Sequence, residues 1–210
     1  MNYYIQVWIG VKSGVRNNSN NSFFAVFFRQ KYINRWGLMR NVTNENLSTH
    51  AAEVACLAHA LAVIGNTYFN KSYDADRVAC LALYHDMPEV FTGDLPTPVK
   101  YANDALRNCY AQLEEKAVEQ LTDRLPSELR DEYSRLLVIT PEDMELKKLV
   151  KGADKLCALI KCIEEEKSGN SDFSSARIAT ESALKAMSFE ELDYFIENFL
   201  PAFSGTLDEL

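Results

Sequence analysis

Helix breakers are scarce in this chain. Among 210 residues there are eight Gly and six Pro, together about 7% against a typical ~12%. Long runs rich in Ala, Leu, Glu and Lys fill the intervals between them. A chain with so few turn-forming residues points to an all-α fold, a bundle of long helices. Its length suits one domain with a sizeable core.

The net charge of −8 argues against a partner that is a nucleic acid polymer, which calls for a basic face. It leaves room for a small anionic ligand held by a few local cations. The five cysteines, 56, 80, 109, 157 and 162, form no Cys-x-x-Cys pair, and most fall at apolar-face positions. An odd count within helices reads as reduced thiols in a cytoplasmic protein. No apolar run approaches the ~20 residues of a membrane span, so no membrane partner is expected.

Residues 1–22 differ from the rest. Ile5, Val7, Ile9 and Val11 alternate like a strand, and Asn17 to Ser22 is a polar, low-complexity linker. Lys12 and Arg16 follow the apolar part, the reverse of a signal peptide. The expectation is a poorly ordered extension at 1–22, with the folded unit at 23–210. The apolar spacing predicts a first helix from Phe23 to about Asn34. A second is capped by Asn46 or Ser48 and stopped near Ile64 by Gly65. A third begins at Asp74 and loosens at Pro88. A long helix is expected over Val99–Leu125, a shorter one after Pro126, and another opened by Pro141-Glu142-Asp143 and running to about Lys167. Two last helices cover 172–187 and 188–200, the latter with a Ser188/Glu191 capping box. Glu164-Glu165-Glu166 reads as a solvated face. Arg35-Trp36-Gly37-Leu38-Met39-Arg40 reads either as a surface cation–π arrangement or as an anion clamp with an aromatic wall.

The chemistry concentrates in His85-Asp86-Met87-Pro88-Glu89, followed by the turn-rich Gly93-Asp94-Leu95-Pro96-Thr97-Pro98. His85 stands four residues after Leu81 and seven after Val78, which turns it inward. His50 shares the inward face of the second helix with Val54, Leu57 and Leu61. His59 is nine residues beyond His50; at ~100° per residue that is half a turn net, so His59 faces away. Asp154 falls among Val150, Ala153 and Cys157, and an Asp in such a place needs a partner, either Lys151, Lys155 or a metal. His50, His85, Asp86 and Asp154 make a donor set of two nitrogens and two carboxylates. It suits one divalent transition metal ion such as cobalt, manganese, iron or zinc, with positions left for water and substrate. No internal repeat, P-loop, dinucleotide-binding turn or serine-nucleophile motif accompanies it.

His…His-Asp…Asp at this spacing in a helical chain resembles the HD-domain metal-dependent phosphohydrolases. Several stretches are similar to the bacterial 5′-deoxynucleotidases within that family. They are Ile33-Asn34-Arg35-Trp36, Leu38-Met39-Arg40-Asn41-Val42, Glu45-Asn46, Thr92 through Tyr101, Ala153-Asp154, Cys157-Ala158, Lys161-Cys162 and Asp193-Tyr194-Phe195. Residues 1–22 have no counterpart, Thr49 stands where an acid is usual, Gly37 replaces Pro, and Met87-Pro88 replaces small residues.

The resemblance implies an HD-domain helical bundle that hydrolyses deoxyribonucleoside 5′-monophosphates and assembles as a homodimer. It implies His50, His85, Asp86 and Asp154 as metal ligands, Glu89 as the acid/base and Arg35 as the phosphate-orienting cation. Trp36 would be the sugar-side wall, and Asp94, Leu95, Pro96 and Thr97 would line the nucleoside pocket beside His50, Asp86 and Asp154. Two rivals share the residues: a phosphodiesterase on cyclic or modified nucleotides, and a nucleotide sensor that hydrolyses nothing.

Overall fold

The computed structural model describes residues 21–209, apart from Tyr101 and Ile139. The alternating Ile5, Val7, Ile9 and Val11 and most of the Asn-rich linker lie outside the described residues. Those described form an all-α fold with no strand among them; a lone antiparallel bridge pairs Asn34 with Asn46.

Helix α1, Phe23–Phe27, tightens into a 3-10 turn over Phe28–Tyr32. Helix α2, Leu47–Tyr68, is capped by the Asn46 side chain, which accepts from the N–H groups of Ser48 and Thr49 at 3.0 Å. Gly65 does not stop it. The helix runs on to Tyr68, and the chain reverses at Asn70, whose φ of 53° is left-handed. Gly65 serves close approach instead: a Cβ there would lie 2.7 Å from Tyr73 Cε2 and 3.0 Å from Glu191 Cγ. By length and composition α2 is also apolar enough to cross a membrane, contrary to the sequence expectation. Glu53 and His59 interrupt the run of letters but not its mean hydropathy. Here α2 packs as a core helix against α3 (Ala75–Tyr84), a partner the sequence periodicity does not reveal.

After α3 a turn over His85–Pro88 leads to the single turn of α4, Glu89–Thr92, and then to α5, Thr97–Lys100. The expected long helix from Val99 to Leu125 is broken. The Asn103 side chain accepts from Leu106 N–H at 2.8 Å and starts a new helix, α6, Asp104–Thr122. Helix α7 covers Ser127–Leu137. Pro141–Asp143 forms a 3-10 turn that opens α8, Met144–Lys167, and Asp143 is tied back to Arg77 of α3 at 2.9 Å. Helices α9, Ser174–Met187, and α10, Glu190–Asn198, complete the order. The Ser188/Glu191 capping box does not form. Ser188 adopts φ 25° and donates to Asp193, while Glu191 is buried and accepts from the Tyr73 hydroxyl at 3.0 Å.

The main core gathers α2, α3, α8, α9 and α10 around Val54, Leu61, Leu81, Leu149, Leu156 and Leu192. A second, smaller core joins Phe23 and Val26 to Leu121 and Leu125, with Met87 at its centre, fully buried. Met87 thereby anchors the His85–Pro88 turn from below. Of the cysteines, 157 and 162 are buried but 56, 80 and 109 are exposed, and all five are free thiols.

Candidate active site

Helix α2 brings His50 to the inner face one turn from its N-terminus, where the imidazole is fully buried. Helix α3 delivers His85 at its C-terminal end, and Asp86 follows on the turn. These three offer donor atoms that all lie within 4.8 Å of one another. His50 Nε2 is 3.5 Å and His85 Nε2 3.1 Å from Asp86 Oδ2. Asp154, on α8, stands at the edge of the trio, with Oδ1 3.2 Å from His50 Nε2 and 3.9 Å from Arg35 Nη2. Lys155 Nζ lies 3.6 Å from its other oxygen. His59 points to the opposite side of α2, exposed and 4.0 Å from Asp76.

The rings are set for coordination. His85 Nδ1 is 2.6 Å from the Ala82 carbonyl; a proton there leaves the Nε2 lone pair facing the cluster. His50 Nδ1 lies 3.1 Å from Glu45 Oε1, off the hydrogen-bond axis of the ring. Both Nε2 atoms are buried and make no hydrogen bond. Buried polar nitrogens are seldom left so. Two orphaned imidazole nitrogens converging beside a carboxylate fit a divalent transition metal. Burial favours neutral His85, but adjacent Asp86 outweighs it and lifts the pKa to about 9, so a cation that binds Nε2 has to displace a proton there. Asp154 is held well below the usual range because, against burial, His50 and Lys155 stabilise its charge.

Arg35 reaches the cluster from the loop after the 3-10 turn. Its Nε is 3.1 Å from Glu45 Oε1 and its Nη1 is 3.3 Å from Asp86 Oδ2. Burial works against its charge, yet Glu45, Asp154, Asp86 and Asp94 together raise its pKa. Trp36, at φ 59°, is in the left-handed region, uncommon and strained for a bulky side chain. It is kept there by its Nε1–H, which donates to Glu45 Oε2 at 2.7 Å, and by Phe173, whose ring centre is 5.2 Å away. Arg35 and Trp36 therefore face the interior, whereas Arg40 is exposed and pairs with Asp172.

Glu89 opens α4 on the far side of Asp86. It is only 9% exposed, and its Oε2 has no hydrogen-bond partner. Burial, then the charges of Asp86 and Asp94, push its pKa up to about 9. Asp94 is half-buried on the loop after Gly93, where burial raises its pKa against the pull of Arg35. Leu95 and Pro96 follow, half-buried. Thr97 begins α5, but its side chain lies outside the described residues, as does Tyr101.

Glu45 and Glu165 are site-supporting residues that sequence reasoning did not single out. Glu45 precedes the α2 cap, and its only sequence signal was its place in a motif stretch. Glu165 is no solvated acid: it is 1% exposed, pairs with Lys161, and accepts from Val42 N–H at 2.9 Å and Thr43 N–H at 3.1 Å. Asn170 adds a bond to the Arg40 carbonyl at 2.7 Å. The loop behind Arg35 and Trp36 is thus held to the end of α8. A cavity of about 290 Å³ lies behind Glu45, bordered by Thr49, Glu53, Leu57 and Ile160 rather than by the His–Asp cluster.

A family model described as 5′-deoxynucleotidase YfbR-like matches residues 22–203. A 5′-deoxynucleotidase of Enterobacter sp. (strain 638) is 48% identical over 192 residues, covering 91% of this chain and 96% of that one. The 5′-deoxynucleotidase YfbR of Escherichia coli is 49% identical over 188 residues, covering 90% and 94%. Among solved structures, an HD-domain phosphohydrolase from Listeria innocua superposes with TM-score 0.72 at 23% identity, covering 87% of this chain and 88% of that chain. A cyanophage S-2L HD phosphohydrolase bound to dA and one catalytic Zn2+ ion gives TM-score 0.62 at 18% identity, covering 87% and 96%.

Proposed function

The chain belongs to the 5′-deoxynucleotidase YfbR-like family, and from that premise we infer that it hydrolyses deoxyribonucleoside 5′-monophosphates to deoxynucleoside and phosphate. The observation that carries this reading is the pair of buried Nε2 atoms that make no hydrogen bond yet converge on Asp86, with a cation and an un-ionised carboxyl group next to them. In this reading His50, His85, Asp86 and Asp154 hold one divalent cation, with cobalt, manganese and zinc all compatible with the donors. When bound, such an ion supplies Lewis acidity to a phosphate oxygen and acidifies water at neutral pH.

The remaining chemistry belongs to side chains. Arg35 keeps Nε on Glu45 and turns its terminal nitrogens from Asp86 and Asp154 to the phosphate as a fork. Water attacks phosphorus while the P–O5′ bond breaks. Glu89, protonated in its buried site, gives its proton to the leaving O5′. The water proton passes to the Glu89 carboxylate, directly or by exchange through solvent, and this reprotonation closes the cycle. Asp94, Leu95, Pro96 and Thr97 line the nucleoside side.

Trp36 stands against the sugar. Its single N–H is already committed to Glu45, so it offers a 2′-hydroxyl only an apolar face. A hydroxyl desolvated without a partner costs roughly 1–3 kcal/mol, which favours the deoxy sugar.

We further propose that residues 23–210 act as one domain, with 1–22 outside it. We place the enzyme in the cytoplasm, in keeping with five free thiols, and take it to be a homodimer. The test is phosphate release from every nucleoside 5′-monophosphate and from cyclic nucleotides, with and without added Co2+, Mn2+ or Zn2+. Metal-dependent release from deoxynucleoside monophosphates supports the reading; cleavage of diesters alone would replace it with a phosphodiesterase.

A further inference from the structure

Three functional groups end on one carboxylate. Trp36 Nε1 is 2.7 Å from Glu45 Oε2, while Arg35 Nε and His50 Nδ1 both lie 3.1 Å from Oε1. The Glu45 backbone is fixed as well: its carbonyl accepts Arg35 N–H at 3.0 Å, beside the Asn34–Asn46 bridge. Glu45 is 8% exposed, so its carboxylate meets these three side chains away from bulk water. The residues it touches have different tasks. His50 belongs to the metal set, Arg35 to the phosphate and Trp36 to the sugar.

We propose that Glu45 is a positioning residue that couples metal loading to the substrate wall, by sharing one carboxylate among His50, Arg35 and Trp36. The inference rests on the reading of His50 as a ligand. A cation on His50 Nε2 would make the ring electron-poor, so the electrostatic pull between its Nδ1–H and Oε1, 3.1 Å apart though off the hydrogen-bond axis, would grow. Arg35 Nε shares that oxygen, so its hold loosens and the guanidinium is freer to take phosphate. A shift of the carboxylate also moves the acceptor that keeps Trp36 in its strained conformation. Metal binding thereby prepares both substrate contacts before substrate arrives. Behind Glu45 the cavity of about 290 Å³ gives the carboxylate room to rotate.

The chain has two tryptophans, Trp8 and Trp36, so a Trp8→Phe variant reports on Trp36 alone. Zn2+, which does not absorb in the visible, is titrated into this protein and into its Glu45→Gln and Glu45→Asp derivatives. Affinity is measured by calorimetry and Trp36 by its emission. Zn2+ should change Trp36 emission when Glu45 is intact. Glu45→Gln should bind Zn2+ about 10–100-fold more weakly, the range seen when a partner of a metal-bound His is lost, and at saturating Zn2+ its Trp36 emission should no longer respond. Glu45→Asp keeps the charge but cannot span three partners, so its affinity and response should fall between the two.

Unchanged Zn2+ affinity and Trp36 response in Glu45→Gln, with only a lower melting temperature, would overturn the coupling and leave Glu45 as scaffold. Should Glu45→Gln not fold, wild-type affinity and response in Glu45→Asp would overturn it equally. Absence of Zn2+ binding in the protein with Glu45 intact would overturn the metal reading itself, and the coupling with it.

Discussion

Burial makes Glu89 costly to ionise, and Asp86 and Asp94 add to that by repelling a further negative charge. Its proton is therefore retained at neutral pH and lost as pH rises toward about 9. A bound divalent cation nearby moves that loss to lower pH. A kcat profile should fall along an alkaline limb at or below this value. Glu89→Gln keeps the shape but has no proton to give. Turnover should drop by about 10²–10⁴-fold, the residual activity should lack that limb, and metal content should be unchanged. Loss of metal in this variant would make Glu89 a ligand instead. Trp36 makes a separate prediction. Trp36→Ala should narrow the ratio of kcat/KM for dAMP over AMP from its wild-type value, predicted at roughly 5- to 150-fold from an unsatisfied hydroxyl. A ratio left unchanged would reduce Trp36 to packing.

Helix α2 shows how tightly elements approach one another. Ala is intrinsically the better helix former by about 1 kcal/mol, so Gly65→Ala would stabilise an isolated α2. In the protein the added Cβ meets Tyr73 at 2.7 Å and Glu191 at 3.0 Å. Overpacking typically costs about 1–3 kcal/mol, and urea unfolding should show a net loss. The clamp at the end of α8 makes the next prediction. Glu165 is held down to about 2, below an ordinary 4.5, because, against burial, Lys161, Val42, Asn170 and Thr43 stabilise its charge. Stability from this group is full above pH 4.5 and drains away as pH falls toward 2. Glu165→Gln should flatten that part of the pH profile in urea titrations. Glu165→Ala leaves buried Lys161 unpaired and should cost about 3–5 kcal/mol. Inward faces, the Asn46 and Asp74 caps and the inward turn of His50 and His85 were legible because each follows from spacing within one helix. Gly65, Glu45 and Glu165 were not, since their roles come from partners on other elements. Glu165 bonds Val42, 123 residues away, a contact that periodicity cannot encode.

The whole molecule answers to the metal through linkage. An ion that binds only the folded chain stabilises it by about 2.7 kcal/mol at 100 times its Kd. Dialysis against a chelator should therefore lower the melting temperature and abolish phosphate release, and readdition of Mn2+ or Co2+ should restore both. Asp154→Asn should abolish most of this shift if Asp154 is the charged ligand proposed above; full activity in metal-free protein would end the metalloenzyme reading.

The clamp between the loop at 40–43 and residues 165–172 also bears on how the molecule is made. Its bonds join positions 122 to 132 residues apart, so closing it is among the costliest loop closures in the chain. His50, His85, Asp86 and Asp154 all precede the end of α8 and emerge from a ribosome before it. Arg35 and Trp36 emerge earlier still, but the stretch at 40–43 that follows them lacks these clamp partners until Glu165 and Asn170 emerge. The loop that carries Arg35 and Trp36 is thus held by chain synthesised after all the residues assigned to the site. In pulse-labelled hydrogen exchange during refolding, the Val42 and Thr43 amides should gain protection later than those in the middle of α2.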